Sequence, residues 1–166
     1  MRNKRQQKEC LRKCPLPKTE GVPAPKCGFV AILGAPNVGK STLLNRLVGL
    51  KVSIVSPKVQ TTRTRVLGIC IRGTTQLVFI DTPGIFRPRR RLDRAMVAIA
   101  WVSAREADHI ILIVDVKRGF DDNTETITRK LAEESRRADL ILNKIDLIEK
   151  TELLAISAKL NECGLF

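Results

Sequence analysis

The run Gly34-Ala35-Pro36-Asn37-Val38-Gly39-Lys40-Ser41, with Thr42 directly after it, carries the most specific chemistry in the chain. Its spacing fits G-x-x-x-x-G-K-[ST], a loop whose glycines let successive backbone N–H groups turn toward phosphate oxygens. A helix starting at that point adds the positive end of its dipole. In such a loop Lys40 lies along the outer phosphates and the Ser41 hydroxyl is a Mg²⁺ ligand. These residues define a phosphate site without selecting a base.

Two further groups complete a nucleotide site. Asp81-Thr82-Pro83-Gly84 follows the apolar run Leu77-Val78-Phe79-Ile80. An aspartate at such a strand end can hold Mg²⁺ through water opposite Ser41, and Gly84 lets a backbone N–H approach a terminal phosphate. Asn143-Lys144-Ile145-Asp146 follows Asp139-Leu140-Ile141-Leu142. A carboxylate accepts from both the ring N–H and the exocyclic amine of guanine, donors that adenine lacks on that edge. Asp146 would therefore choose the base, Asn143 would secure the loop, and the Lys144 stem would cover sugar and base. Adenine is rejected by such a site because its polar groups would be left unpaired.

Between these groups lies Ser56-Pro57-Lys58-Val59-Gln60-Thr61-Thr62-Arg63. A threonine here completes the Mg²⁺ shell while a γ-phosphate is present and lets go after hydrolysis. Thr62 is taken for this role over Thr61. The expected ligands are GTP or GDP with Mg²⁺ on Ser41, Thr62 and, through water, Asp81. Lys40, Thr62 and Gly84 form the candidate catalytic set.

The elements that position these residues are legible in the pattern. Phe29-Val30-Ala31-Ile32-Leu33 is a continuous apolar run, as in a strand covered on both faces, and Leu43, Leu44 and Leu47 recur at helical spacing. Strands are expected at 29–33, 66–72, 76–81, 109–115 and 138–143, and helices near 40–48, 92–105, 124–136 and 151–163. Gly73-Thr74-Thr75 is short enough for a hairpin, which makes one pair antiparallel. The expected fold is α/β of the P-loop NTPase type, a mostly parallel sheet with one antiparallel edge pair and helices on both faces. All three motifs then fall at the carboxyl ends of strands, where such sheets bind ligands.

Composition bounds the rest. With 166 residues and 43% hydrophobic content the chain suits one domain. The longest apolar run, between His109 and Val116, is strand-sized, and the first residues lack an apolar core, so neither a membrane span nor a secretory signal is expected. A net charge of +13 predicts attraction to polyanions: RNA, a ribosome surface, or anionic lipid at the inner face of a membrane. Five cysteines are irregularly spaced and the single histidine is His109, so a zinc site from Cys10 and Cys14 is disfavoured. Reduced thiols in a cytoplasmic compartment are the expectation. Residues 1–27 read as a basic arm, with prolines at 15, 17, 23 and 25 opposing regular structure.

Gly34–Ser41, Gln60-Thr61-Thr62-Arg63, Asp81–Gly84 and Asn143–Asp146 together resemble the bacterial Era family of GTPases, and the segment from Ile85 to Met96 resembles its second switch and following helix. The resemblance covers residues 28 to 166. It implies a GTPase domain that in the family precedes an RNA-binding KH domain, in a protein that assists assembly of the small ribosomal subunit by contacting 16S rRNA. It also implies slow intrinsic hydrolysis, because Ile85 stands where many GTPases carry a water-orienting glutamine. Asn37 marks a candidate K⁺ position beside the phosphates.

The family carries a fifth motif, Ser-Ala, behind the guanine. Ile156-Ser157-Ala158 looks like it but follows Asp146 too closely, since a covering helix and a returning strand need at least about two dozen residues. Leu153, Ile156, Leu160 and Cys163, widened by Leu154, instead form a helix stripe with Gly164 as C-cap, so Ser157 belongs to a helix. On this reading Leu165-Phe166 begins the family's last strand, and that strand, the last helix and the KH domain are lacking. Two other readings remain: a non-hydrolysing fragment, and a basic RNA-binding module using the arm with Arg63, Arg65, Arg87, Arg89, Arg90 and Arg91.

Overall fold

The computed structural model describes residues 24–55, 62 and 64–166. Residues 1–23, which hold most of the expected arm, and residues 56–61 and 63, which hold most of the expected switch loop, lie outside the described residues. The elements are β1 Lys26–Leu33, α1 Lys40–Val48, β2 Val66–Arg72, β3 Thr75–Asp81, α2 Arg91–Glu106, β4 His109–Asp115, α3 Asp122–Glu133, β5 Asp139–Asn143 and α4 Lys150–Asn161. A short 3-10 turn, Ile145–Leu147, lies between β5 and α4.

The sheet order is β2-β3-β1-β4-β5. β1 runs parallel to β3 and β4, β5 runs parallel to β4, and β2 returns on β3 as the antiparallel hairpin expected at Gly73. Alternation along each strand sorts side chains between two cores. On one face Val30, Ile32, Phe79 and Ile113 pack with Leu44 of α1. On the other, Ile110, Leu112 and Val114 pack with Trp101 of α2, Ile127 and Leu131 of α3, and Leu160 of α4. Leu44 is fully buried, worth about 1.5–3 kcal/mol relative to an exposed leucine, and it fixes α1 directly behind the phosphate loop. The carboxyl ends of β1, β3, β4 and β5 share one edge of the sheet, as parallel pairing requires.

Several boundaries differ from expectation for identifiable reasons. β1 begins at Lys26, because Lys26 and Cys27 pair with Thr75 and Gln76 of β3. The last two residues assigned to the arm are therefore sheet. α3 ends at Glu133, not near 136: Ser135 takes a left-handed φ of 50°, and Arg136 N–H returns to Leu131 O at 2.9 Å. That closure uses a serine where glycine would have announced it. Along α4, Leu153 and Ile156 are half-buried and Leu160 is buried, but Leu154 is 70% exposed and adds nothing to the stripe. α4 ends at Asn161, so Gly164 (φ 63°) and Cys163 belong to the turn after it. That turn brings Leu165 O within 3.1 Å of Ala138 N, just before β5. Ser157 lies within α4, as its spacing required.

Candidate nucleotide site

The loop between β1 and α1 wraps around its own lysine. Gly39, the residue before α1, has φ 103°, and a Cβ there would strike Asn143 Nδ2, so conformation and contact both demand glycine. Lys40 is buried and its ammonium donates to Ala35 O at 2.8 Å and Gly34 O at 3.2 Å. Burial strips water from the ammonium and lowers its pKa from 10.5 to about 8, against an opposing pull from the Asp81 charge. Phosphate oxygens arriving in this loop would meet the ammonium and the first N–H groups of α1 together.

Asp81, at the end of β3, is fully buried. Its Oδ2 accepts from Ser41 Oγ at 2.6 Å, Ser53 Oγ at 2.7 Å and Thr62 Oγ1 at 3.3 Å, and the Ser41 and Thr62 hydroxyls lie 3.2 Å apart. Its Oδ1 is buried with no hydrogen-bond partner among the described residues. A buried carboxylate oxygen without a donor costs on the order of 1–3 kcal/mol or more, which a hydrated cation would relieve. Two hydroxyls and one carboxylate oxygen are hard donors that fit Mg²⁺. Among the described residues no three His, Cys, Asp or Glu side chains gather, so a cation here also needs the nucleotide's own phosphate oxygens, a normal arrangement for Mg²⁺.

The loop after β5 is clamped to the phosphate loop. Asn143 Nδ2 donates to Val38 O at 2.7 Å. Lys144 adopts a left-handed φ of 63° and its ammonium meets Asp115 Oδ2 at 2.6 Å, at the end of β4. Asp115 also accepts from Lys117 N–H at 3.1 Å, and Arg118 Nη1 donates to Pro36 O at 3.2 Å. Asp146 follows on the exposed 3-10 turn.

A cavity of about 560 Å³ joins these parts. Pro36, Asn37, Gly39, Lys40, Ser41, Thr42, Thr62, Thr82, Gly84, Asn143 and Lys144 line it. Gly34, Ala35, Val38, Asp81, Pro83 and Asp146 do not: Ala35 and Val38 are core, Asp81 sits behind Ser41, and Asp146 is exposed beyond the lining. Gly84 packs so tightly that a Cβ would lie 2.8 Å from the Pro36 backbone, and Ile85 N–H donates to Gly34 O at 3.0 Å. Ile85 itself is buried in the core beside Leu33 and Trp101.

Sequence reasoning missed Ser53, Asn45, Asp115 and the exposed apolar liners Ile54 and Val55. Asp115 had a signal, since it ends its strand as Asp81 does. Ser53 had none, because its partner lies a strand away.

A parallel sheet with a glycine loop seated at its carboxyl edge and a hydroxyl–carboxylate cluster beside it defines a P-loop nucleotide-binding domain. Residues 29–144 match the family described as 50S ribosome-binding GTPase, and the chain belongs to that family. Within it, the chain is similar to GTPase Era, as the motifs implied. It is 55% identical over 137 residues to GTPase Era of Bradyrhizobium sp., covering 82% of this chain and 44% of the relative. It is 54% identical over 141 residues to GTPase Era of Rhizobium meliloti, covering 85% and 45%.

Among solved structures it resembles Era in complex with MgGDPNP and nucleotides 1506–1542 of 16S ribosomal RNA, with a TM-score of 0.76, 43% identity, and coverage of 83% of this chain and 47% of the other. It also resembles NFeoB of S. thermophilus bound to GDP·AlF4⁻ and K⁺, with a TM-score of 0.57, 27% identity, and coverage of 72% and 45%. The chain thus spans about half the length of the relatives it matches.

The Lys40 environment generates a pH prediction. Phosphates favour the protonated ammonium, so its pKa rises from about 8 when nucleotide binds, and above pH 8 binding takes up a proton. GDP affinity is expected to fall as pH rises through about 8. At pH 8.8, calorimetric enthalpies should differ between two buffers of unequal ionisation enthalpy by up to one proton's worth; equal enthalpies would refute the seat described for Lys40.

Proposed function

We propose that this chain binds guanine nucleotides and hydrolyses GTP slowly in the presence of Mg²⁺, and that it contacts ribosomal RNA of the small subunit. The observation that carries the nucleotide reading is the convergence of Lys40, Ser41, Thr62 and Asp81 beside an Asn143–Lys144 loop held on the phosphate loop. Lys40 and the N–H groups at the start of α1 bind the phosphates and absorb the charge that develops as the outer bond breaks. Ser41, Thr62 and, through water, the Asp81 carboxylate would hold Mg²⁺, whose chemistry there would be charge neutralisation. Gly84 offers its N–H to the terminal phosphate. Ile85, a core residue, orients no attacking water, which supports slow turnover. The structure of Era with MgGDPNP supports the ligand class, and its bound 16S rRNA fragment supports the partner.

The test of base choice is a fluorescent-GDP titration with Mg²⁺, competed by GTP or ATP. Competition by GTP at least a hundredfold more effective than by ATP is expected. Asp146→Asn should weaken GDP binding at least a hundredfold and improve xanthosine diphosphate binding, because an amide N–H suits the carbonyl that xanthine carries in place of the guanine amine. Equal competition by ATP would overturn the reading. Binding without turnover would favour the non-hydrolysing alternative.

Asn37, which lines the cavity, supports K⁺ as a second cation, a reading in keeping with the K⁺ bound in the NFeoB relative. Turnover in KCl should exceed that in NaCl at equal ionic strength by several-fold. Equal rates would remove K⁺ from the proposal.

An RNA contact has its own observation. Arg87, Arg89, Arg90, Arg91 and Arg94 are all exposed around the start of α2, and none forms an ion pair with a described residue. Arg65, by contrast, is engaged with Glu106 at 2.8 Å, and Arg63 lies outside the described residues. Like charges gathered at the positive end of a helix dipole repel one another and the dipole, so polyanion phosphates are their natural complement. Replacing Arg89 and Arg91 by glutamine should weaken binding to an RNA of nucleotides 1506–1542 of 16S ribosomal RNA and lower the salt slope by about one unit per arginine. An unchanged slope would exclude this surface.

A further inference from the structure

We propose that Ser53 is a positioning residue for the cation-binding carboxylate, held in place by Asn45, and that it sets the Mg²⁺ affinity of the nucleotide complex. This rests on the guanine-nucleotide reading above and assigns a role to residues that belong to none of the motifs.

Ser53 is 3% exposed although it lies in a loop between α1 and β2. Its hydroxyl donates to Asp81 Oδ2 at 2.7 Å, nearly as close as the Ser41 hydroxyl at 2.6 Å. Asn45, on α1, fixes the backbone that carries it. Asn45 Oδ1 accepts from Val52 N–H at 2.9 Å and Ser53 N–H at 2.8 Å, and its Nδ2 donates to Ser53 O at 2.8 Å. One carboxamide thus uses both of its ends to lock a two-residue stretch of loop against the helix.

The consequence falls on the two Asp81 oxygens unequally. Oδ2 is occupied by hydroxyl donors from three segments of the chain, while Oδ1 is left buried without a described partner. Of the three donors, Ser41 and Thr62 are candidate cation ligands. Ser53 alone is free to remain on Oδ2 when they turn to a cation, and it is tied to the helix that carries Ser41. It therefore holds the carboxylate in one rotamer, with Oδ2 kept beside the Ser41 and Thr62 hydroxyls that are the candidate cation ligands. Partners that orient a metal's ligands in this way are typically worth 10–100-fold in metal affinity.

The test measures release of fluorescent GDP from the full chain as free Mg²⁺ is varied, alongside GDP affinity in excess EDTA. For Ser53→Ala the Mg²⁺ midpoint should rise at least about tenfold while affinity in EDTA stays within twofold of the parent. Ser53→Thr, which keeps the hydroxyl, should restore the midpoint to within about threefold. Asn45→Ala should raise it as Ser53→Ala does, and the double variant should add little, because both act on one hydrogen bond. An unchanged midpoint in Ser53→Ala overturns the proposal, as does an equal loss in Mg²⁺ and EDTA, which would make Ser53 a mere loop support. A parent chain that binds no GDP in either Mg²⁺ or EDTA overturns the guanine-nucleotide reading itself, whereas GDP binding indifferent to Mg²⁺ overturns this proposal alone, so the two failures are distinct.

Discussion

The buried Asp81 carboxylate is the constraint on which the site depends. It sits at the end of β3 with its neighbours in the sheet fixed by parallel and antiparallel pairing, so it cannot move toward partners; partners must come to it. Hydroxyl donors to a carboxylate form short, charge-assisted hydrogen bonds, and leaving a buried charge without them is costly. Ser41, Ser53 and Thr62 come from the first turn of α1, the loop after α1, and the residues before β2. Their convergence holds Ser53 and Thr62, on either side of residues outside the described set, against the carboxyl end of β3. The cavity's second wall, including Ile54 and Val55, follows from that one attraction.

A second tie joins the other half of the sheet to the phosphate loop. Asn143 on Val38 O and Lys144 on Asp115 join the ends of β5 and β4 to the phosphate loop. Each tie is a single side chain at a strand end, and each relies on a sheet whose central strands β1, β3 and β4 are buried toward their carboxyl ends and hold their relative heights. The two cores supply that rigidity. Leu44 seats α1 on one face, and Trp101, Ile127 and Leu160 seat α2, α3 and α4 on the other. Precision at the site is borrowed from core side chains, Leu44, Trp101, Ile127 and Leu160, that do not line the cavity.

What was legible in the sequence divides along the range of the interaction. The phosphate loop is recognisable because its demands are local: a glycine at φ 103°, a lysine that can curl back, and a helix start. Strand cores and the hairpin at Gly73 are equally local in pattern, and all five strands and four helices of the described residues were anticipated. Element ends were less so. Lys26 and Cys27 are strand because Thr75 and Gln76 lie beside them, and α3 stops at a left-handed Ser135 that composition does not flag. Leu154 fits a helical stripe in sequence yet points to solvent, since the stripe is only as wide as the surface it meets. Ser53 and Asn45 were invisible for the same reason: a serine in a loop acquires meaning only from a carboxylate brought to it by β3.

The junction between the phosphate loop and α2 shows how one position can exchange one use for another. A polar side chain after Gly84 could reach the cavity; Ile85 instead goes into the core with Leu33, Ala100 and Trp101 while its N–H holds Gly34 O. That choice anchors the start of the α2 segment on two sides, through the apolar contact and through the phosphate loop. Gly84, pressed on the Pro36 backbone, has no slack in which to absorb a shift of that loop. The phosphate loop and the segment that leads to Arg87–Arg94 are thus joined at two points, the Gly84–Pro36 approach and the Ile85–Gly34 hydrogen bond, while the Ile85 side chain is held by the close-packed core.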